Sequence, residues 1–135
     1  MDKTPHIIQF NSIGQPSLGY ISVGQEFEKV PFQIKRTYWT YFTPQNVTRG
    51  GHANIDKELV LIAVSGTIKV SVELQNGNIS NFELGTPDIG LYIPKLAWHT
   101  MQYSHNAVQL VLASNLYSEE DYIRDYQNFI SYGLK

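Results

Sequence analysis

The chain has 135 residues, 42% of them hydrophobic and 16% charged, the size and apolar content of a single domain with its own core. A net charge of −2, with no lysine or arginine run, argues against electrostatic binding of nucleic acid. The absence of cysteine excludes disulfides, zinc–thiolate sites and a cysteine nucleophile, and fits a cytoplasmic location.

In chain order, Ile7–Phe10 reads as a short strand, and the turn-rich stretch 11–16 breaks it. Nothing before it has the basic and apolar sections of a signal peptide. Leu18–Val23 reads as a second strand. From Phe32 to Phe42 the residues alternate, so that Phe32, Ile34, Arg36, Tyr38 and Thr40 share one face. A polar-lined face in so aromatic a strand points to a ligand cavity. Leu59–Val64 is a continuous apolar run, compatible with a buried strand. Ser65-Gly66 turns into the alternating segment 67–73, and Asn76-Gly77 is a hairpin signal before Ile79–Leu84. Ile89–Ile93, Ala97–Tyr103 and Val108–Ala113 follow. Nine or ten short strands separated by turns predict an all-β sandwich or barrel. Only the end reads as helix, with Ser118 and Asp121 as a capping pair, a stripe of Tyr122, Tyr126, Phe129 and Ile130, and Gly133 as the stop. No apolar run nears the roughly 20 residues of a membrane span.

The chemistry gathers in Arg49-Gly50-Gly51-His52-Ala53-Asn54 and in Trp98-His99. On one strand, His52 and Asn54 would share a face, and strands of one barrel would bring His52 and His99 together inside it. Histidine takes and returns a proton near neutral pH. Asparagine donates and accepts hydrogen bonds without titrating. Arg36 and Arg49 are the better ligand-binding arginines, because forked donors suit a diphosphate or an oxyanion. Arg124 is expected to pair with Glu120 at i, i+4 on the surface. A metal alternative would use His52, Glu58 and His99, two imidazoles and a carboxylate. No phosphate-binding glycine loop, dinucleotide fingerprint or serine-hydrolase elbow is present.

Several segments in order then resemble one family, the dTDP-4-dehydro-6-deoxyglucose 3,4-ketoisomerases, small cupins that act on nucleotide sugars. They are Pro31–Tyr38, Thr48–Asn54, Gly90–Pro94, Trp98-His99, Val111–Ser114, Tyr117 and Asp121–Tyr126. The resemblance implies a single cupin jelly-roll domain over 1–135, ending in a short C-terminal helix. It implies a homodimer that exchanges N-terminal strands, with no metal or organic cofactor. The implied reaction moves a proton between carbons 3 and 4 of a dTDP-linked keto sugar through an enediolate, in deoxyamino-sugar biosynthesis. His52, Tyr38, His99 and Arg49 are the implied catalytic residues, and Arg36, Asn54, Trp98 and Tyr92 the substrate-binding ones. The chain departs from the family at Asn54, where relatives carry a second histidine. That departure keeps two other readings open: an epimerase acting on the same class of keto sugar, and an inert sugar-nucleotide-binding cupin.

Overall fold

A computed structural model describes residues 2–134. Twelve strands and one short helix are described: β1 (His6–Gln9), β2 (Ile13–Gln15), β3 (Gly19–Ile21), β4 (Arg36–Tyr41), β5 (Thr48–Asn54), β6 (Leu59–Ser65), β7 (Ile68–Leu74), β8 (Ile79–Leu84), β9 (Ile89–Ile93), β10 (Ala97–Tyr103), β11 (Val108–Ala113), β12 (Tyr122–Ile123) and α1 (Tyr126–Tyr132). Ten of the strands form two five-stranded sheets, ordered β1-β9-β6-β11-β4 and β12-β5-β10-β7-β8. Every pairing between named strands is antiparallel. The class is the all-β jelly roll that the sequence predicts, with hydrogen bonding that leaves two sheets rather than one closed cylinder.

The inner faces of the two sheets meet in one core. Ile68, Val70 and Val72 of β7 alternate into it, opposite Leu59 and Leu61 of β6 and Leu91 and Ile93 of β9. The apolar run of β6 is continuous because both its faces are covered. Val60 and Ile62 point to the other side, into a second cluster with Ile8, Phe10, Val30 and Phe32 of the N-terminal segment. Burying a side chain of this size contributes about 1.5–3 kcal/mol, so the N-terminal segment is a second core layer.

Two sequence expectations are corrected. The helix begins at Tyr126, later than the stripe suggests. Asp125 is its cap, with a side chain that accepts from the Gln127 amide at 2.8 Å, whereas Ser118 precedes only a 3₁₀ turn at Glu119–Asp121 and makes no side-chain cap. Tyr122 leaves the helical stripe because Tyr122 and Ile123 pair with Asn54 and Ala53 of β5. The expected Arg124–Glu120 pair is instead Arg124–Glu119, at 2.9 Å.

The hairpin β2-β3 pairs only with itself among the described residues. It leaves Ile13, Leu18, Tyr20 and Ile21 more than half exposed, and Phe27 beyond it is 72% exposed. Among the described residues, no helix is long and apolar enough to cross a membrane.

Candidate active site

β10 places Ala97, His99, Met101 and Tyr103 on the inner face. His99 is 2% exposed, and its Nδ1 lies 3.1 Å from the Ala97 carbonyl. A carbonyl only accepts, so Nδ1 carries the proton and Nε2 is left bare. Burial holds the His99 imidazole below its ordinary pKa.

β5 runs alongside with a bulge. His99 faces His52, but Thr100 faces Gly50, so Gly51 is the extra residue. Gly50 and Gly51 both have positive φ, 83° and 72°. A Cβ at Gly50 would stand 2.7 Å from the His99 carbonyl oxygen, which reserves that position for glycine. The extra residue also resets parity. Arg49 and His52 are three apart and would face opposite ways on a regular strand; here both line one cavity.

That cavity has a volume of about 80 Å³, and its walls include Tyr38, Thr40, Arg49, His52 and His99. A larger hollow of about 770 Å³ lies on the outer face under the N-terminal segment. It is mostly apolar and holds no histidine, so size and chemistry point to different places, and the chemistry decides. The His52 and His99 rings meet edge to face at 4.6 Å, and Tyr122 closes on His52 from another side at 5.0 Å. Burial, then His99, Arg124 and Lys57, pull the His52 imidazole down to about 3, against a hydrogen bond to the Gly50 carbonyl that works the other way. Near neutral pH both imidazoles are therefore uncharged. Tyr38 is pushed up to about 12, mainly by burial, and stays a phenol that can donate a proton.

Arg36 shares the inner face of β4 with Tyr38. Its guanidinium lies 4.4 Å over the Tyr38 ring and 5.4 Å from the Tyr117 ring, with Nη1 buried and unpartnered. A buried donor without a partner costs about 1–3 kcal/mol, so this nitrogen is suited to a ligand acceptor. Lys57, 1% exposed, donates to the Tyr122 hydroxyl at 3.4 Å and lies 4.7 Å over the Tyr122 ring.

Other expected residues fall outside the cavity. Asn54 is buried at 3% exposure and donates to Asp121 Oδ2 at 3.3 Å. Trp98, next to His99, faces the opposite way and packs on Tyr126 and Phe129 of α1. Tyr92 is fully buried in the outer layer and donates its hydroxyl to Glu58. Glu58 also binds Lys3 at 2.8 Å, which takes it out of the metal set considered with His52 and His99. Among the described residues, no three histidines or carboxylates are grouped to hold a metal ion. The sequence reading placed Thr40 on the cavity-lining face of its strand and missed Tyr103, Gln109 and Tyr122. Parity was the available signal for Tyr103, since 99, 101 and 103 share a face; Tyr122 had none.

The fold and the imidazole pair define a small jelly-roll protein with a histidine site between its sheets. The family model described as FdtA, "WxcM-like, C-terminal", matches residues 3–133, and the chain belongs to that family. It is 39% identical over 131 residues to a TDP-4-oxo-6-deoxy-alpha-D-glucose-3,4-oxoisomerase of Aneurinibacillus thermoaerophilus, covering 96% of this chain and 92% of the relative. A 3,4-ketoisomerase from Helicobacter canadensis superposes with a TM-score of 0.91 at 34% identity, over 97% of this chain and 98% of that one. A histidine-to-asparagine variant of the Thermoanaerobacterium thermosaccharolyticum 3,4-ketoisomerase, in complex with TDP-4-keto-6-deoxyglucose, superposes with a TM-score of 0.90 at 32% identity, over 98% and 95% of the two chains.

Asn54→His tests the departure from the family. An imidazole N–H can replace the amide donor to Asp121, so the rate is expected to stay within about tenfold, roughly 1.4 kcal/mol in barrier. A hundredfold gain would mean that the missing imidazole limits turnover. Complete loss would mean that the pocket is built around asparagine. Steady-state rates with one keto sugar decide.

Proposed function

We infer that this chain is a sugar 3,4-ketoisomerase that converts a TDP-linked 4-keto-6-deoxyhexose into the 3-keto isomer. The observation that carries the mechanism is the neutral His52 ring set against buried His99 in a cavity that also holds Tyr38 and Arg49. The proton on carbon 3 is acidic because its removal leaves an anion delocalised onto the carbon 4 oxygen. His52 takes it with the ring nitrogen not committed to Gly50. A base held so low by burial gains its proton only as negative charge grows beside it, so proton transfer and enediolate formation are coupled. Arg49 stabilises that charge, and Tyr38, still a phenol, donates to the same oxygens. The hydroxyl proton on oxygen 3 crosses to oxygen 4 through the Tyr38 hydroxyl, which gives one proton and takes the other, and His52 returns its proton to carbon 4, leaving a ketone on carbon 3 and a hydroxyl on carbon 4. Arg36, with its free buried nitrogen, holds the substrate at the cavity mouth. The cavity is too small for a whole nucleotide sugar and takes only the reacting edge of the hexose, with the rest of the substrate outside it.

Trp98 and Tyr92 belong to packing in this reading, and Asn54 acts through Asp121 and β12. The reading includes the cytoplasm as its compartment. Incubation with TDP-4-keto-6-deoxyglucose, followed by product analysis, tests it: a 3-keto product supports it, and a 4-keto epimer or unchanged sugar overturns it.

The proposal includes a homodimer. The hairpin β2-β3 is short, paired only with itself among the described residues and apolar on its exposed side, as a strand awaiting a partner's sheet would be. Light scattering at micromolar concentration is expected to give twice the 15.4 kDa chain mass. A monomer would contradict it.

A further inference from the structure

Beneath the imidazoles, the cavity floor carries a chain of hydrogen bonds that the proton transfer itself does not use. Gln109 of β11 is 1% exposed. Its Nε2 donates to the Met101 sulfur at 3.0 Å, and its Oε1 accepts from the Tyr103 hydroxyl at 2.7 Å. A thioether has no proton to give, so the amide nitrogen must be the atom that faces it. That settles the amide orientation, and with it the direction of the phenol. The Tyr103 hydroxyl has two acceptors, Gln109 Oε1 at 2.7 Å and the Met101 sulfur at 3.7 Å; the shorter bond to the better acceptor takes its one proton, which leaves its oxygen free only to accept. Thr40 and Arg49 line the same small cavity as that oxygen, and the positive charge of Arg49 favours an electron-rich phenol oxygen. A guanidinium has donors alone, so a bond from Arg49 to that oxygen would continue the same sense, which ends at the sulfur. Met101, Tyr103, Gln109, Thr40 and Arg49 all line the cavity.

Arg49 needs such an anchor. It stands on a strand bent by two left-handed glycines, and no carboxylate hydrogen-bonds or pairs with it among the described residues. A long side chain loses much rotamer freedom when it is fixed, and a donor stabilises a developing anion only if it is already aimed at it.

We propose that Gln109 and Tyr103 are positioning residues that aim the Arg49 guanidinium at the oxygen gaining charge during isomerisation. This rests on the ketoisomerase reading. Neither residue takes a proton from the sugar. Tyr103 gives Arg49 its direction, and Gln109 gives Tyr103 its own.

Steady-state kinetics with TDP-4-keto-6-deoxyglucose test it on Arg49→Ala, Tyr103→Phe, Gln109→Leu, the pair Arg49→Ala with Tyr103→Phe, and His52→Asn. Tyr103→Phe is expected to lower kcat about tenfold with KM within twofold, and Gln109→Leu to lower it several-fold. In the Arg49→Ala background, Tyr103→Phe should cost nothing further, because there is no guanidinium left to aim. Additive losses in that pair would make Tyr103 a structural floor and overturn the inference. So would wild-type kcat in Tyr103→Phe while His52→Asn is inactive. Wild-type turnover in His52→Asn would instead sink the ketoisomerase site itself, a separate failure. If Gln109→Leu does not fold, the Arg49–Tyr103 pair decides alone.

Discussion

His52→Asn is expected to lower isomerisation by at least about a hundredfold while binding of the TDP-sugar stays within a few-fold of wild type. General bases contribute 10²–10⁴-fold, and among the described residues no other group is placed to take over. His99 is the nearest imidazole, 4.6 Å away between ring centres, but it is sealed at 2% exposure and bound to Ala97. Tyr38 is pushed up to about 12 and cannot serve as a base near neutral pH. Asparagine approximates the ring's volume and polarity, so the proposed substrate-binding groups, Arg36 and Arg49, should stay in place. Retention of more than about a tenth of the wild-type rate would remove His52 from the chemistry.

Acid is expected to destabilise the fold well before its carboxylates protonate. His52 is held down to about 3 against an ordinary value near 6.5, and His99 is lowered as well. Above pH 6.5 both rings are neutral, folded or unfolded, and their contribution to stability is fully present. As pH falls below 6.5 the unfolded chain binds protons that the folded rings refuse, so stability drops, and the loss continues until the folded His52 titrates near 3. At pH 5 the His52 share is about 2 kcal/mol, and His99 adds to it in the same direction. For a chain of this size the unfolding temperature should fall by roughly 5 °C or more between pH 7 and pH 5 at fixed protein concentration. His52→Asn should remove its own part of that slope. An unfolding temperature that holds level down to pH 5 would show that these rings are not kept neutral by the fold.

Much of this was legible where periodicity had one meaning. Asn76-Gly77 marked the β7–β8 hairpin, and Gly77 takes the positive φ that such a turn needs. The β6 run announced burial, although not that its second face lies under the N-terminal segment. Errors arose where a long-range partner overrode a local pattern. Tyr122 fits a helical stripe, yet pairing with Asn54 draws it into a sheet. Trp98 was grouped with His99 as its neighbour, and adjacent strand residues face opposite ways. Tyr92 sits in a strand covered on both faces, where sequence alone cannot say which cover hides the site. The convergence of His52 and His99 was readable from two strand-like segments. The presence of Arg49 on the same wall was not, because it depends on the residue that the bulge adds.

The closeness of the two imidazoles also bears on isotopic bookkeeping. His99 is cut off from solvent, and a cavity of about 80 Å³ leaves little room for water beside His52 once the reacting edge of a sugar enters it. On the proposed mechanism, a deuteron lifted from carbon 3 would ride on a single imidazole for the life of the enediolate and drop onto carbon 4 of the same sugar. Sugar deuterated at carbon 3 and turned over in ordinary water should yield product that still carries label at carbon 4.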